Sequence, residues 1–293
     1  MKKLVFVLAA CAMFAASCAH EDSTPSDQLI NLGTHSLEIH REGTRTPAVV
    51  IDTGIGDQMD RLRSLQQRIA LVTQVIAYNR AGYGRSEAGP LPRDCGREAD
   101  ELKALLEKAS IPGPYVLVGH SLGALIVQMF ASRYPADVAG MVLLDPPPLS
   151  FILGQDYGNL SAMADRMTEE WQAAADSMAQ SADPRARARA NFLRMIASEH
   201  REMFDETARM VGAISTFGDI PLVVVASGKP NPAFGSVAEK FQTYWIEQSR
   251  SLADKSTRGR FVLADGSSHY LYEDVPELVA ENILSLVHDV REK

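Results

Sequence analysis

Residues 115–123 read Tyr-Val-Leu-Val-Gly-His-Ser-Leu-Gly. Strand-forming residues Tyr115, Val116, Leu117 and Val118 stop at Gly119, and a helical apolar pattern begins after Ser121 with Leu122, Leu125, Ile126, Met129 and Phe130. That order predicts strand, tight turn and helix. A serine at the apex of such a turn is held in a strained backbone conformation, and Gly119 and Gly123 are the small neighbours that tolerate it. The geometry lifts the Ser121 hydroxyl above the carboxyl end of a sheet and points the amino end of the next helix at any anion that forms there. A serine hydroxyl is a poor nucleophile until a base takes its proton. The base must be a neutral imidazole in the correct tautomer, with a buried carboxylate behind it to balance the charge it acquires.

Seven histidines compete for the role of base. The last strand expected, residues 260–263, delivers Asp265, Gly266, Ser267, Ser268 and His269 into a loop, which makes His269 the favoured candidate. His120 is next to the nucleophile but points elsewhere in a turn of this kind. His20, His35, His40, His200 and His288 fall in a tether, a hairpin, a helical insertion and the terminal helix, where a satisfied surface or core histidine accounts for each. No glycine-rich turn or strand precedes Cys95, which argues against it as a nucleophile. Metal-ligand spacing of His, Cys and Asp is absent, so no metal or other cofactor is expected.

The elements that must position these groups alternate regularly. Residues 28–32 and 36–40 predict a hairpin at a sheet edge, and residues 48–51 a third strand running into Asp52, Thr53, Gly54, Ile55, Gly56 and Asp57. A helix over 57–70, a buried strand over 73–78, an amphipathic helix over 98–109, the elbow strand and helix, and a strand over 140–144 ending at Asp145 follow. This alternation implies a parallel sheet with right-handed crossovers, with its active groups at the carboxyl ends of the strands. Residues 146–217 interrupt it: Met163, Met167, Trp171, Ala174 and Met178 recur at helical spacing, Asp183 and Pro184 start a further helix, and Phe192, Leu193, Ile196, Met203, Phe204 and Met210 continue the apolar pattern. Sheet and helix resume with 221–226, 235–252 and 260–263. The terminal helix opens near Pro276, where Asp274 and Glu277 have capping-box spacing.

The Gly-X-Ser-X-Gly turn in this setting resembles the nucleophile elbow of the alpha/beta-hydrolase superfamily. The segment Asn79, Arg80, Ala81, Gly82, Tyr83, Gly84, Arg85, Ser86 is similar to that family's Asp-X-X-Gly-X-Gly-X-Ser crossing loop, with Asn79 in place of the aspartate. The resemblance covers roughly residues 28–290. It implies an alpha/beta-hydrolase fold: a mostly parallel eight-stranded sheet flanked by helices, with residues 146–217 as a helical cap after strand 6, between core parts 28–145 and 218–293. It implies the chain order serine, acid, histidine, with His269 as base. Most members carry the acid after the seventh strand, but the corresponding loop here, Ser227 to Pro232, has no carboxylate; some place it after the sixth, where Asp145 stands, with Asp265 as the weaker rival. Oxyanion donors are expected at the Ile55 and Leu122 amides, although Thr53 replaces the histidine of the commonest His-Gly form.

The whole chain sets outer limits. It has 293 residues, 23% of them charged and 46% hydrophobic, as in an ordinary globular protein. The formal charge of -8, with no long basic run, argues against a nucleic-acid partner. Arg185, Arg187 and Arg189 alternate with alanine and read as a solvated helix face.

Lys2 and Lys3 precede an apolar run over 4–16 that suits an export signal and is too short for a permanent anchor. Ala15, Ala16, Ser17 and Cys18 look like the lipobox of bacterial lipoproteins, giving a signal over 1–17, lipidation at Cys18 and a tether over 18–27. Alternatives are a lipobox ending at Cys11 or a plain signal cut near Ala19. Ala19 after the cysteine points to the outer membrane, and Cys95 would then be the only thiol left.

Taken together, the sequence points to an exported envelope lipoprotein, facing the periplasm or on the outer membrane, that cleaves carboxylic esters. Its partner is a small-molecule acyl substrate, and its membrane contact runs through the N-terminal lipid only. Thioesters, lactones, amides and activated carbon–carbon bonds are alternatives for the same constellation, as is a receptor that keeps the triad without turnover. The serine argues against the halide and epoxide chemistry that an aspartate at 121 would suggest.

Overall fold

The computed structural model describes residues 25–152 and 159–292. The expected signal over 1–17, with Cys11, and the expected lipidation site Cys18 lie outside the described residues.

Strands β1 (Ser26–Asn31), β2 (Ser36–Glu42), β3 (Val49–Asp52), β4 (Val75–Asn79), β5 (Tyr115–His120), β6 (Val138–Leu144), β7 (Leu222–Ser227) and β8 (Gly259–Ala264) form one sheet in the order β1-β2-β4-β3-β5-β6-β7-β8. The β1–β2 and β2–β4 pairs are antiparallel and all others parallel. The helices are α1 (Arg63–Ala70), α2 (Cys95–Lys108), α3 (Leu122–Arg133), α4 (Leu149–Ile152), α5 (Asn159–Ala179), α6 (Pro184–Met203), α7 (Glu206–Gly212), α8 (Ala238–Ala253), α9 (Leu271–Asp274) and α10 (Pro276–Arg291). Among the described residues no helix is long and apolar enough to cross a membrane.

The central strands are apolar throughout because both of their faces are covered. Side chains alternate across a strand, so Val116 and Val118 of β5 join a core layer with Leu65 and Ile69 of α1 and Ile283 and Val287 of α10. Tyr115 and Leu117 join the opposite layer, with Leu102 and Leu106 of α2 and Ile126 and Phe130 of α3. The chain steps outward from β3 to β4 and then returns to the other side of β3 as β5. That reversal leaves a crevice beyond the carboxyl ends of β3 and β5, the place where ligands bind in open parallel sheets.

Several boundaries differ from the sequence reading, for local reasons. The first strand starts at Ser26, within the stretch expected as a tether, and Asp27 Oδ1 pairs with His40 Nδ1 at 2.6 Å. Helix α2 starts at Cys95 because the Asp94 carboxylate accepts a hydrogen bond from the Arg97 amide at 2.9 Å and caps it. Gly235 has φ 55° and ψ -131°, which no helix accommodates, so α8 begins at Ala238. Asp274 does not cap α10. Its carboxylate instead accepts from the Ser268 amide at 2.7 Å, and Val275 precedes Pro276 at the helix start without a side-chain cap.

The insertion between β6 and β7 is helical. Helices α5 and α6 pack along each other, and α6 starts where Asp183 caps it by accepting from the Arg185 amide at 2.9 Å. Leu193, Met195 and Ile196 of α6 and Ala175 of α5 surround Tyr83 of the crossing loop, which seats the cap on the core.

Candidate active site

Ser121 stands between β5 and α3 with φ 52° and ψ -119°, a region that costs a non-glycine residue about 1–3 kcal/mol. The surroundings enforce it. The Ser121 amide donates to Leu144 O at 3.0 Å, extending the β5–β6 ladder into the turn. A Cβ on Gly123 would lie 2.4 Å from Asp52 O, and one on Gly119 would lie 2.5 Å from Gly123 O. Only glycine at both positions lets α3 approach the ends of β3 and β5 this closely.

Asp145 follows β6 with φ 47° and is 2% exposed. Its Oδ2 meets His269 Nδ1 at 2.6 Å. A carboxylate accepts and does not donate, so Nδ1 carries the proton and Nε2 keeps its lone pair. Ser227, at the end of β7, holds the same carboxylate by donating from its amide to Oδ1 at 2.8 Å and from its hydroxyl to Oδ2 at 3.0 Å. Gln242 of α8 in turn donates to Ser227 O at 2.6 Å. The strand end where a carboxylate is absent thus carries the group that orients the carboxylate of the neighbouring strand. Asp265 is exposed, and the His269 imidazole is bonded to Asp145.

His120 has a job the sequence did not disclose. Its Nε2 donates to the His269 carbonyl at 2.9 Å, and the two rings lie 4.6 Å apart. The loop carrying His269 is therefore tied to the residue next to Ser121. His120 is 1% exposed; burial first, and then the neighbouring His269, hold its pKa well below the usual histidine range, so it is neutral. Among the described residues no hydrogen bond joins the Ser121 hydroxyl to His269, although the Asp145 half of the relay is made.

In the turn after β3, the Asp57 amide donates to Gly54 O and the Gly56 amide to the Tyr83 hydroxyl at 3.0 Å. The Ile55 and Leu122 amides have no acceptor among the described residues. Arg80, in the crossing loop, is buried beneath this turn. It donates to Thr53 O at 2.7 Å, Gly54 O at 3.0 Å, Asp52 Oδ1 at 2.6 Å and Glu199 Oε1 at 3.0 Å. Nothing local in the sequence marks either residue, and their pairing, 119 positions apart, was not legible there.

Beside His269, a recess of about 120 Å³ is lined by Asp145, Ser227, Lys229, Phe234, Trp245 and His269, among others. Cys95 lies elsewhere, beneath the cap, and burial pushes its thiol up to about 12, far from a reactive thiolate. Among the described residues no group of three or more His, Cys, Asp or Glu side chains could hold a metal ion.

Known proteins share this architecture. A thermophilic esterase from Thermogutta terrifontis superposes with a TM-score of 0.67 at 18% identity, covering 90% of this chain and 99% of its own. An alpha/beta hydrolase enzyme from a Medee basin deep-sea metagenome library gives a TM-score of 0.63 at 15% identity, covering 88% and 96%. By sequence, the uncharacterized protein YqjL of Bacillus subtilis (strain 168) is 26% identical over 240 residues, 82% of this chain and 83% of its own. The (lyso)-N-acylphosphatidylethanolamine lipase of Mus musculus is 33% identical over 109 residues, which is 35% of this chain and 30% of the lipase. The alpha/beta hydrolase family model matches residues 53–282, from the turn after β3 into α10. That span takes in the turn, the elbow, the cap and the His269 loop together, and the chain belongs to the alpha/beta hydrolase family.

Proposed function

We propose that this hydrolase is a serine esterase, with Ser121 as nucleophile, His269 as general base and then general acid, and Asp145 as the acid that orients it. The observation that carries the reading is the 2.6 Å contact between His269 Nδ1 and Asp145, because it leaves Nε2 as the basic nitrogen, free to serve the strained elbow serine. Ser121 Oγ adds to the ester carbonyl while Nε2 takes its proton. The oxygen of the tetrahedral intermediate accepts from the Ile55 and Leu122 amides, each worth about 3 kcal/mol of barrier. Collapse expels the alcohol, protonated by His269. A water then attacks the acyl-enzyme by the same route, releasing the acid and restoring the hydroxyl. A Ser121–His269 hydrogen bond is expected to form with substrate, since such bonds are often long or absent without it and tighten when it binds.

The test is a fluorophosphonate probe together with p-nitrophenyl butyrate. Label on Ser121 with multiple turnovers, both abolished by Ser121→Ala, is the expected result. Turnover that survives in that variant refutes the assignment. Label without turnover would indicate a binding protein.

We also propose export with lipidation at Cys18, supported by the charged, apolar and small-residue order of the first 18 residues. Cys18→Ser is expected to release the protein from membranes. A palmitate label that persists in that variant refutes lipidation there.

A further inference from the structure

The Arg80 network lies directly under the turn to which the oxyanion role is assigned. In a planar trans peptide the carbonyl and the following amide point in opposite directions, so fixing one fixes the other. Arg80 Nη2 donates to Gly54 O at 3.0 Å. That carbonyl shares its peptide plane with the Ile55 amide, which has no acceptor among the described residues. Nη1 holds Thr53 O at 2.7 Å, and the Tyr83 hydroxyl accepts from the Gly56 amide at 3.0 Å. The turn is therefore pinned on both sides of Ile55.

Arg80 is itself pinned from two directions. Asp52, at the end of β3, takes Nη1 at 2.6 Å. Glu199, on cap helix α6, takes Nε at 3.0 Å and Nη2 at 3.3 Å and accepts from the Tyr83 hydroxyl as well. Arg80 and Glu199 are 2% and 1% exposed, so solvent does not dilute the contact. A cation on the carbonyl side of a peptide also polarises it, making its N–H a stronger donor.

We propose that Arg80 is a positioning residue that aims and polarises the Ile55 amide toward the oxyanion, and that Glu199 couples this alignment to the seating of the cap. The inference rests on the serine-hydrolase reading of the site and adds to it a residue that never touches substrate. Misplacing a donor by about 1 Å costs a rate factor of about 100, which sets the expected scale.

The test compares wild type with Arg80→Met and Glu199→Gln, using p-nitrophenyl butyrate turnover and inhibition by butylboronic acid, which forms a tetrahedral adduct on a reactive serine. Arg80→Met is expected to lower kcat about 100-fold, with KM changed less than threefold and boronate affinity weakened by a similar factor. Glu199→Gln keeps shape and loses charge; its expected loss is about tenfold in the same two quantities, and it decides the matter if Arg80→Met does not fold. A folded Arg80→Met with unchanged kcat and boronate affinity overturns the inference, as does a loss carried wholly by KM. If Arg80→Met does not fold, unchanged values in Glu199→Gln overturn it. Wild type that binds no boronate and takes no fluorophosphonate label overturns the reading of the site and this inference together. A reactive wild type with insensitive variants overturns this inference alone.

Discussion

Asp145 carries three hydrogen bonds, from His269 Nδ1, the Ser227 amide and the Ser227 hydroxyl, and all of them need an acceptor. In Asp145→Asn one oxygen becomes an NH2 donor. Wherever that NH2 faces His269, Nδ1 must accept, the proton moves to Nε2, and the imidazole can no longer take the Ser121 proton. The expected loss of kcat is about 10⁴-fold, as when a triad acid becomes an amide, with folding retained. Steady-state kinetics on the folded variant checks this, and activity near wild type would show that the acid lies elsewhere. Ser121, Asp145 and His269 could be proposed from the sequence because each is signalled by something local: a glycine-flanked turn, a strand end, a loop after the last strand. Ser227 and His120 could not be, because their roles depend on which atom of a neighbouring strand or loop they face. Nothing in the sequence around Ser227 reveals that its amide and hydroxyl both point at Asp145.

Elements were legible wherever both faces of a strand or one face of a helix are buried, since apolar periodicity records burial. The β5 run of Tyr115 to Val118 and the α3 pattern that follows are of this kind. Ends were less legible, because ends are set by single contacts such as the Asp94 cap or the left-handed Gly235. The junction of β5 and α3 makes a test at this scale. In Gly123→Ala the new methyl would meet Asp52 O at 2.4 Å and Thr53 O at 2.7 Å, both backbone atoms of the adjoining strand and turn that cannot rotate away. Helix α3 must then shift off β3, at an expected cost of about 3 kcal/mol or more in urea unfolding. Gly212→Ala is the control, since no heavy atom lies within 4 Å of its Cβ position; its expected change is within about 1 kcal/mol. Equal effects of the two substitutions would contradict the packing explanation of the elbow glycines.

At the scale of the whole molecule, the packing of α5 against α6 buries a histidine that the sequence reading took as a satisfied surface or core residue. His200 of α6 lies between the rings of Trp171 and Phe204, at 5.2 Å and 5.1 Å, with Nδ1 2.8 Å from the Thr168 hydroxyl. Burial lowers its pKa to about 4, against only a weak opposing pull from Asp165. An unfolded histidine, with a pKa near 6.5, binds its proton as the pH falls below that value, whereas folded His200 stays neutral until about pH 4. Within that window the unfolded chain holds more protons, so stability is unaffected above pH 6.5 and is lost as the pH falls toward 4. The His200 share of the loss between pH 7 and pH 5 is about 2 kcal/mol, and the neutral, buried His120 acts in the same direction. Urea unfolding of wild type and His200→Gln at the two pH values separates this share from the carboxylates, which both proteins keep. The variant is expected to start less stable at pH 7, because it disturbs packing between α5 and α6, yet to lose about 2 kcal/mol less on acidification than wild type does. Parallel losses in the two proteins would mean that His200 gains its proton in the folded state as readily as in the unfolded one, and that the cap is not the acid-sensitive part of the molecule.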